Sequence, residues 1–192
     1  MKIGVDIDGV VARFLEGFVN FYNDVYGGDL SEEDFEKFSV AHTLNVSSEE
    51  SERLRKEFYD SDFFDSINLV GGAEESINGL SQNHELVFIT ARHPYHEEKT
   101  MKFFEKHFPD GNFRILFSGD YSGGKAKHQI CEELGIKVLI EDGEHSQNYA
   151  ENGIKVILLD KPWNQDCEHE NIVRVKNWDE ILSKVGDVIE DG

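Results

Sequence analysis

Five short apolar runs, separated by segments with a helical pattern, constrain the fold of this 192-residue chain more than any other feature. Each run has four to six residues rich in Val, Ile, Leu and Phe, as is typical of parallel strands covered on both faces. Strands that alternate with helices through short loops predict an α/β fold, with a Rossmann-like parallel sheet and helices on both faces. We expect strands at Lys2–Ile7, Glu85–Thr90, Phe113–Phe117, Lys137–Ile140 and Lys155–Leu159, and a sixth, edge strand at Ile172–Val175.

Helices are predicted around these runs from the spacing of apolar residues. Gly135 and Gly153 each directly follow one of the segments, and glycine is a common residue at the C-terminal end of a helix. We expect helices at Val10–Tyr26, Tyr95–His107, Lys125–Leu134, Ser146–Asn152 and Trp178–Val185. The residues around the second helix that we expect to face inward are Met101, Phe103, Phe104 and Phe108.

One gap in this alternation predicts an insertion. About 78 residues separate the first run from the second, which is too long for a single crossover connection. Ser31 and Ser47 each precede an acid by three residues, a pattern typical of helix starts. Residues 10–70 also contain eleven of the 22 aromatic residues. We therefore expect an α/β core formed by residues 1–12 and 73–192, and a small helical cap formed by residues 13–72.

The charge balance excludes two classes of partner. Lys plus Arg number 19 and Asp plus Glu number 39, which gives a formal net charge of −20 at pH 7. A sequence-independent binder of polymeric nucleic acid needs a basic face, and attraction to an anionic membrane depends on basic residues too. A small anionic substrate remains compatible with this charge, because a bound metal ion can reverse the local field.

Three further features predict a reduced, cytoplasmic protein. The sequence has no run of about 18 apolar residues that could span a membrane. The N-terminus becomes acidic at Asp6, unlike a signal peptide. Cys131 and Cys167 form neither a disulfide framework nor a metal-binding spacing.

The strongest chemical signal is Asp6-Ile7-Asp8-Gly9-Val10, at the end of the first predicted strand. In open α/β sheets, ligands bind at the carboxyl ends of the strands. Two carboxylates about 4 Å apart repel each other by about 4 kcal/mol at an effective dielectric of 20. A divalent cation that prefers oxygen ligands, such as Mg²⁺, would neutralise them.

Three weaker signals follow in chain order. Thr90 ends the second strand, where a hydroxyl and nearby backbone N–H groups can bind a phosphate oxygen. Glu141-Asp142 ends the fourth strand and can supply a further metal ligand. Lys125 and Lys127 precede that strand; because they are two residues apart, at most one is expected to point into the site.

With these residues in this order, the sequence resembles the haloacid-dehalogenase-like (HAD) hydrolase superfamily. The resemblance covers the whole chain, and the insertion lies where that superfamily places its cap. Within the superfamily the chain is most similar to the 5′(3′)-deoxyribonucleotidase-type branch. The softer matches to this branch are Val10-Val11 before Phe14, Asn20-Phe21-Tyr22-Asn23, Ile89-Thr90-Ala91-Arg92 and the run from Leu158 to Asn164.

The resemblance implies a Mg²⁺-dependent phosphomonoester hydrolase that dephosphorylates nucleoside monophosphates through an aspartyl-phosphate. Asp6 would be the nucleophile, and Asp8 the general acid and then the general base. Mg²⁺ would be held by the Asp6 carboxylate, the Asp8 backbone carbonyl and Asp142. The spacing to Leu134-Gly135 favours Lys127 over Lys125 as the lysine of the site. The residues implied to bind substrate are Thr90, Ala91 and Arg92.

Two departures from the family pattern matter: the one at Arg13 leaves the substrate open, whereas the one in the fourth motif leaves metal binding intact, because Asp142 remains. Arg13 stands where relatives often have an acid, and the fourth motif is Glu-Asp rather than Asp-Asp. A sugar phosphate or another small phosphometabolite is therefore an alternative substrate, and a non-catalytic phosphate-binding module is a third possibility.

Several residues near the motifs allow either a binding or a structural role. Aromatic residues of the cap could stack on a base or form the core of the cap; these are Phe18, Phe21, Tyr22 and Tyr26. Arg92 and His93 could contact substrate or lie at the surface. Pro162-Trp163-Asn164 is predicted to be a structural turn.

Overall fold

Six parallel strands form one sheet in the part of the chain that this computed structural model describes, residues 1–119 and 124–190. The strands are β1 (Lys2–Val5), β2 (Glu85–Thr90), β3 (Arg114–Phe117), β4 (Val138–Glu141), β5 (Lys155–Leu159) and β6 (Ile172–Val175). Their spatial order is β3-β2-β1-β4-β5-β6, so β1 lies between β2 and β4. This arrangement confirms the predicted α/β class and the sixth, edge strand, and it places the switch point of strand order at β1.

Helices pack on both faces of this sheet. They are α1 (Phe14–Tyr26), α2 (Val40–Thr43), α3 (Ser48–Asp60), α4 (Asp62–Asp65), α5 (Ala73–Ser81), α6 (Glu97–His107), α7 (Lys127–Leu134), α8 (Ser146–Glu151) and α9 (Trp178–Glu190). Successive residues of β2 enter different buried clusters, because side chains alternate between the faces of a strand. Phe88 belongs to the cluster that includes residues of α1, α5, α6 and α9, whereas Val87 and Ile89 belong to the cluster that includes residues of α7 and α8.

The loop after β1 differs from the predicted boundaries. The strand ends at Val5 rather than Ile7, because the Ile7 carbonyl accepts hydrogen bonds from the backbone N–H groups of Val11 and Ala12. Helix α1 begins at Phe14 rather than Val10 for the same reason, since residues 7–12 form a tight loop. The indole N–H of Trp178, at the start of α9, donates a 2.9 Å hydrogen bond to the Val10 carbonyl and holds this loop.

Other boundaries shift by a few residues. Helix α7 begins at Lys127 instead of Lys125, and α9 extends past Val185 to Glu190. Ser47 caps α3 as expected, with its hydroxyl accepting from the Glu50 N–H at 3.1 Å, but Ser31 begins only a single 3₁₀ turn. Met101 was expected to face inward and is 39% exposed, so that prediction is wrong, while the three phenylalanines around it are buried.

The segment between β1 and α5 is helical and rich in packed aromatic rings. Phe58 of α3 lies 5.3–5.7 Å, centroid to centroid, from four rings, namely those of Phe14, Phe18, Phe21 and Phe64. Buried residues of this segment and of the sheet form one contiguous cluster. The division into a core and a cap at residues 13–72 therefore stays a prediction. No helix within residues 1–119 and 124–190 is both long enough and apolar enough to cross a membrane.

Candidate active site

Two acids project from the carboxyl end of β1. Asp6 directly follows the strand and is 5% exposed, and its N–H donates to the Ile140 carbonyl of β4 at 2.9 Å. Asp8 lies two residues further, where the chain turns. Gly9 has a φ of +85°, and a Cβ at this position would overlap the Asp142 carboxylate. The close approach of the β1 loop to Asp142 therefore requires glycine.

Lys127 is the cation nearest to Asp6. It is the first residue of α7 and is buried, and its Nζ lies 2.5 Å from Asp6 Oδ1 and 2.6 Å from Glu141 Oε2. Lys125, the alternative lysine, forms an exposed ion pair with Glu133 instead. The structure thus brings Lys127, and not Lys125, to the strand end that carries Asp6.

Glu141 holds the loop after β4 in place. Its Oε1 accepts hydrogen bonds from the N–H groups of Asp142 at 3.2 Å and Gly143 at 3.0 Å, while its Oε2 contacts Lys127. The sequence motif identified the acidic pair, but it did not indicate that Glu141 would contact both Lys127 and the backbone of the next loop. Glu141 therefore supports both the lysine and the neighbouring acid.

Among the described residues, the hydrogen bonds that hold Asp142 are made by its backbone. Its carbonyl accepts 2.8 Å hydrogen bonds from the Trp163 indole and from the Asn164 amide. Asn164 also donates to the Leu159 carbonyl, and Arg174 donates to its Oδ1 at 2.7 Å, which fixes the orientation of the amide. The turn containing Trp163 and Asn164 is structural, as predicted, but it also positions an acid of the site.

Asp8 is paired with Arg92. The guanidinium donates through Nε to Oδ2 at 2.9 Å and through a terminal nitrogen to Oδ1 at 2.5 Å, a two-pronged geometry that fixes the carboxylate. Arg92 is 3% exposed, and its guanidinium carbon lies 5.1 Å from the centroid of the Phe64 ring. A surface role for Arg92 is therefore wrong, whereas His93 is exposed. Direct contact between Arg92 and substrate stays a prediction.

Thr90 and Ala91 complete the polar end of a cavity. Thr90 is buried, and its Oγ1 accepts the Arg92 N–H at 3.1 Å. The cavity has a volume of about 330 Å³, within the usual range for small-molecule sites. Its polar end is lined by Asp6, Asp8, Thr90, Ala91, Arg92, Lys127, Glu141 and Asp142. Its lining also includes five aromatic residues, namely Phe14, Phe18, Phe35, Phe38 and Tyr59.

Burial and, after it, the charges of neighbouring carboxylates raise two pKa values in the site. Burial, with the charge of Glu141 next in size, raises the pKa of Asp6 to about 8 although Lys127 lowers it. Burial, Asp6 and Glu141 together hold the pKa of Asp142 well above its ordinary value. Burial lowers the pKa of Lys127, but the attraction of Asp6 and Glu141 outweighs it, so this pKa is well above its usual value.

The donor set fits a divalent cation. Asp6, Glu141 and Asp142 each offer a carboxylate oxygen, and these atoms lie within 4.8 Å of one another. The Oδ2 of Asp142 is buried and has no hydrogen-bond partner among the described residues. When ionised, the four carboxylates of the site exceed the charges of Lys127 and Arg92 by two. Hard oxygen ligands and an excess of two negative charges suit Mg²⁺.

All the predicted site residues therefore lie around one cavity, but the sequence missed several of its residues. Arg55 and Tyr59 line the cavity from α3, and Phe38 lines it from the segment before α2. Tyr59 also stacks on His96, with ring centroids 3.6 Å apart. Serine at position 47 marked the start of α3, but no pattern indicated which face of this helix would cover the strand ends.

We expect Asn164→Ala to lower the free energy of unfolding by about 2–4 kcal/mol. The Leu159 carbonyl loses its side-chain donor, the Asp142 carbonyl keeps only the Trp163 indole, and the Arg174 guanidinium loses an acceptor. Urea titration followed by circular dichroism measures this loss. Asn152→Ala is the control, since its amide donates to one carbonyl at an exposed helix end and should cost less than about 1 kcal/mol. Equal losses in the two variants would contradict the role of Asn164.

Without a divalent cation, stability is expected to fall as pH rises. The pKa of Asp6 is raised from 3.8 to about 8 on folding, so its contribution is fully present below about pH 4 and is lost as pH approaches 8. Urea titrations in EDTA at pH 5.5 and 8.5 measure how the free energy of unfolding changes with pH. Asp6→Asn should reduce this change, and the exposed Asp65→Asn should not. A pH dependence unaffected by Asp6→Asn would contradict the raised pKa of Asp6.

Comparison with known proteins gives a match over nearly the whole chain. The family model of "5' nucleotidase, deoxy (Pyrimidine), cytosolic type C protein" matches residues 1–188. A nucleotidase of Clostridium acetobutylicum is 26% identical over 192 residues, which cover 99% of this chain and 96% of that protein. The similarity therefore includes the strand ends of the candidate site as well as the segment between β1 and α5.

Solved structures with the same fold are more distant in sequence. A haloacid dehalogenase-like hydrolase from Streptococcus pneumoniae superimposes with a TM-score of 0.70 at 15% identity, covering 96% of this chain and 97% of that one. A HAD family hydrolase from Deinococcus radiodurans, solved with bound phosphate and sodium, gives a TM-score of 0.68 at 14% identity over 97% and 95% of the two chains. These similarities show a shared fold.

Proposed function

Because this chain belongs to the family of 5′ nucleotidase, deoxy (pyrimidine), cytosolic type C proteins, a HAD-like family of phosphatases and nucleotidases, we propose that it is a Mg²⁺-dependent nucleoside monophosphate phosphatase. The resemblance stated from its motifs is thereby confirmed at the level of the family. The substrate, the cation and the aspartyl-phosphate intermediate are the proposed parts.

One observation carries the proposal. A buried carboxylate, Asp6, faces a cavity beside a lysine at 2.5 Å and an acid, Asp142, whose Oδ2 has no partner among the described residues. A buried charge cluster of this kind is costly for stability and is commonly found at catalytic sites. Its position at the carboxyl ends of β1, β2 and β4 is where ligands bind in open α/β sheets.

In the first step, an oxygen of Asp6 attacks phosphorus and the ester P–O bond breaks. Lys127 lies against Asp6 and neutralises charge on the nucleophile and on the phosphoryl oxygens. The Thr90 hydroxyl donates a hydrogen bond to a phosphoryl oxygen. A proton on Asp8 passes to the leaving alkoxide, so the nucleoside leaves as a neutral alcohol.

In the second step, Asp8 removes a proton from water, and the hydroxide oxygen attacks the phosphorus of the aspartyl-phosphate. Inorganic phosphate is released and the Asp6 carboxylate is restored. Arg92 donates to both oxygens of Asp8, an arrangement suited to the ionised carboxylate that this step needs. Arg92 is therefore a positioning residue for Asp8.

Mg²⁺, held by Asp6, Asp142 and the Asp8 carbonyl, would supply charge stabilisation for the transferring phosphoryl group. The acids alone would repel an anionic substrate. Glu141 is engaged with Lys127 and with two backbone N–H groups, so we assign it to the support of these ligands.

The cavity favours a substrate with a flat, apolar part. Five aromatic residues line it, and they suit a nucleobase. Arg13, the departure that favoured a sugar phosphate, lies outside this cavity, where it pairs with Glu16 and donates to the Leu69 carbonyl. We further propose a cytoplasmic location, because the matched family is described as cytosolic.

Phosphate release from a panel of ribo- and deoxyribonucleoside monophosphates tests the proposal, with and without Mg²⁺ after EDTA treatment. We expect hydrolysis of at least one nucleotide, dependent on Mg²⁺. Sugar phosphates and p-nitrophenyl phosphate are included as other phosphomonoesters. If these compounds are hydrolysed and no nucleotide is, the proposed nucleotide substrate is contradicted. Full activity in EDTA would contradict the proposed requirement for Mg²⁺.

A further inference from the structure

One face of α3 forms a wall of the catalytic cavity. Ser48, Ser51, Arg55 and Tyr59 line the cavity, and their spacing of three and four residues places them on the same side of the helix. Tyr59 is buried, and the charges of Asp8 and Arg92 act on its phenol, so it lies at the catalytic end of this row. Arg55 lies one helical turn before Tyr59, about 5–6 Å away between Cβ atoms.

Arg55 differs from the neighbouring arginine of the same helix. Arg53 points away from the cavity and pairs with Glu50 and Glu57. Within residues 1–119 and 124–190, Arg55 forms no ion pair, although the chain has twice as many acids as bases. A guanidinium that lines a cavity without a carboxylate partner is available to bind a ligand.

The position of Arg55 also corresponds to one part of the substrate. It borders both the catalytic cavity and an adjoining one of about 520 Å³, which share Tyr59, Ala91 and Arg92. The phosphate belongs at Asp6 and Thr90, and Tyr59 lies near this end, so Arg55, one helical turn away from Tyr59, is placed for the far end of the leaving group. The aromatic lining can hold the faces of a flat ring, and the exposed guanidinium of Arg55 can meet its edge.

The chemistry of arginine then defines the contact. A guanidinium has five N–H donors in a planar fork and no acceptor. Each nucleobase presents oxygen or ring-nitrogen acceptors along its edge, and on guanine arginine commonly pairs with two of them at once. The sugar hydroxyls are weaker partners for this fork because they are not arranged in its plane.

From this placement we infer that Arg55 binds the edge of the nucleobase and is a specificity-determining residue of the enzyme. The inference rests on the proposed nucleotide substrate. It assigns the discrimination between a nucleotide and a plain sugar phosphate to α3, outside the four motifs that carry the chemistry.

The test compares Arg55→Gln with Arg53→Gln on two substrates. These are the best ribonucleoside 5′-monophosphate of the panel and ribose 5-phosphate, which has the same phosphate and sugar but no base. For Arg55→Gln we expect kcat/KM to fall about tenfold on the nucleotide, mainly through KM, and to change less than twofold on ribose 5-phosphate. Arg53→Gln should change kcat/KM by less than twofold on both the nucleotide and ribose 5-phosphate.

Both arginines are exposed, so the variants are expected to fold, and circular dichroism and Tm check this. An equal fall on both substrates would overturn the inference, because Arg55 would then act on the phosphate or the sugar. An unchanged kcat/KM on the nucleotide would overturn it too. If the wild-type protein cleaves ribose 5-phosphate but no nucleotide, the proposed function fails and the inference fails with it.

Discussion

Asp6→Asn is expected to lower kcat for phosphomonoester hydrolysis at least about a thousandfold, the largest effect of any single change in this chain. The amide keeps the shape of the carboxylate but cannot attack phosphorus. Lys127 remains beside it and retains Glu141 as a partner, so the variant should fold. Initial rates of phosphate release, measured with Mg²⁺ at saturating substrate, give the comparison.

The matched control is Asp65→Asn, because Asp65 is exposed and pairs only with Lys99 at 3.0 Å among the described ion pairs. Its kcat should stay within twofold of the wild type. Acid-quenched wild-type protein should also carry a covalent phosphoryl group that Asp6→Asn lacks. Activity of Asp6→Asn above a tenth of the wild-type value would disprove that Asp6 is the nucleophile.

Lys127→Met is expected to abolish most activity and to lower the free energy of unfolding by about 3–5 kcal/mol at pH 8. The substitution removes the cation that contacts Asp6 and Glu141 and leaves a buried group of carboxylates. The loss should be smaller at pH 5.5, because the raised pKa values of Asp6 and Asp142 allow these acids to be neutral there. Urea titrations in EDTA at both pH values measure it.

Lys125→Met is the control for this change. Lys125 lies two residues away and forms an exposed ion pair with Glu133, so its removal should cost less than about 1 kcal/mol and leave activity intact. A larger loss of activity in Lys125→Met than in Lys127→Met would reverse the assignment of the site lysine.

The sequence was sufficient to predict the parts of the site that strand ends supply. Asp6, Thr90 and Asp142 each follow or end a short apolar run, and parallel strands bring their carboxyl ends to one edge. The order of the strands then decides which of these ends are neighbours. The local sequence could not identify Lys127 as the lysine of the site, because no local signal separates a lysine near the start of a helix from Lys125 two residues away.

Contacts between distant segments were not predictable from the sequence. Arg92 pairs with Asp8 across 84 residues, and Asn164 reaches the Asp142 carbonyl from a turn after the next strand. No periodicity encodes such pairs, because each depends on how loops pack after the sheet has formed. Met101 fails for a related reason: the apolar pattern of α6 has one more large residue than its buried face can cover.

The hydrogen bond from Trp178 to the Val10 carbonyl has a consequence for the order in which the enzyme is made. It joins the loop that follows Asp6 to a helix 168 residues later, so the shape of this loop depends on a late part of the chain. During synthesis, the ribosome releases Asp6, the proposed nucleophile, long before it releases Trp178, which fixes the loop after Asp6. We therefore expect nascent chains that lack α9 to be inactive, and catalytic activity to arise only after α9 has been synthesised.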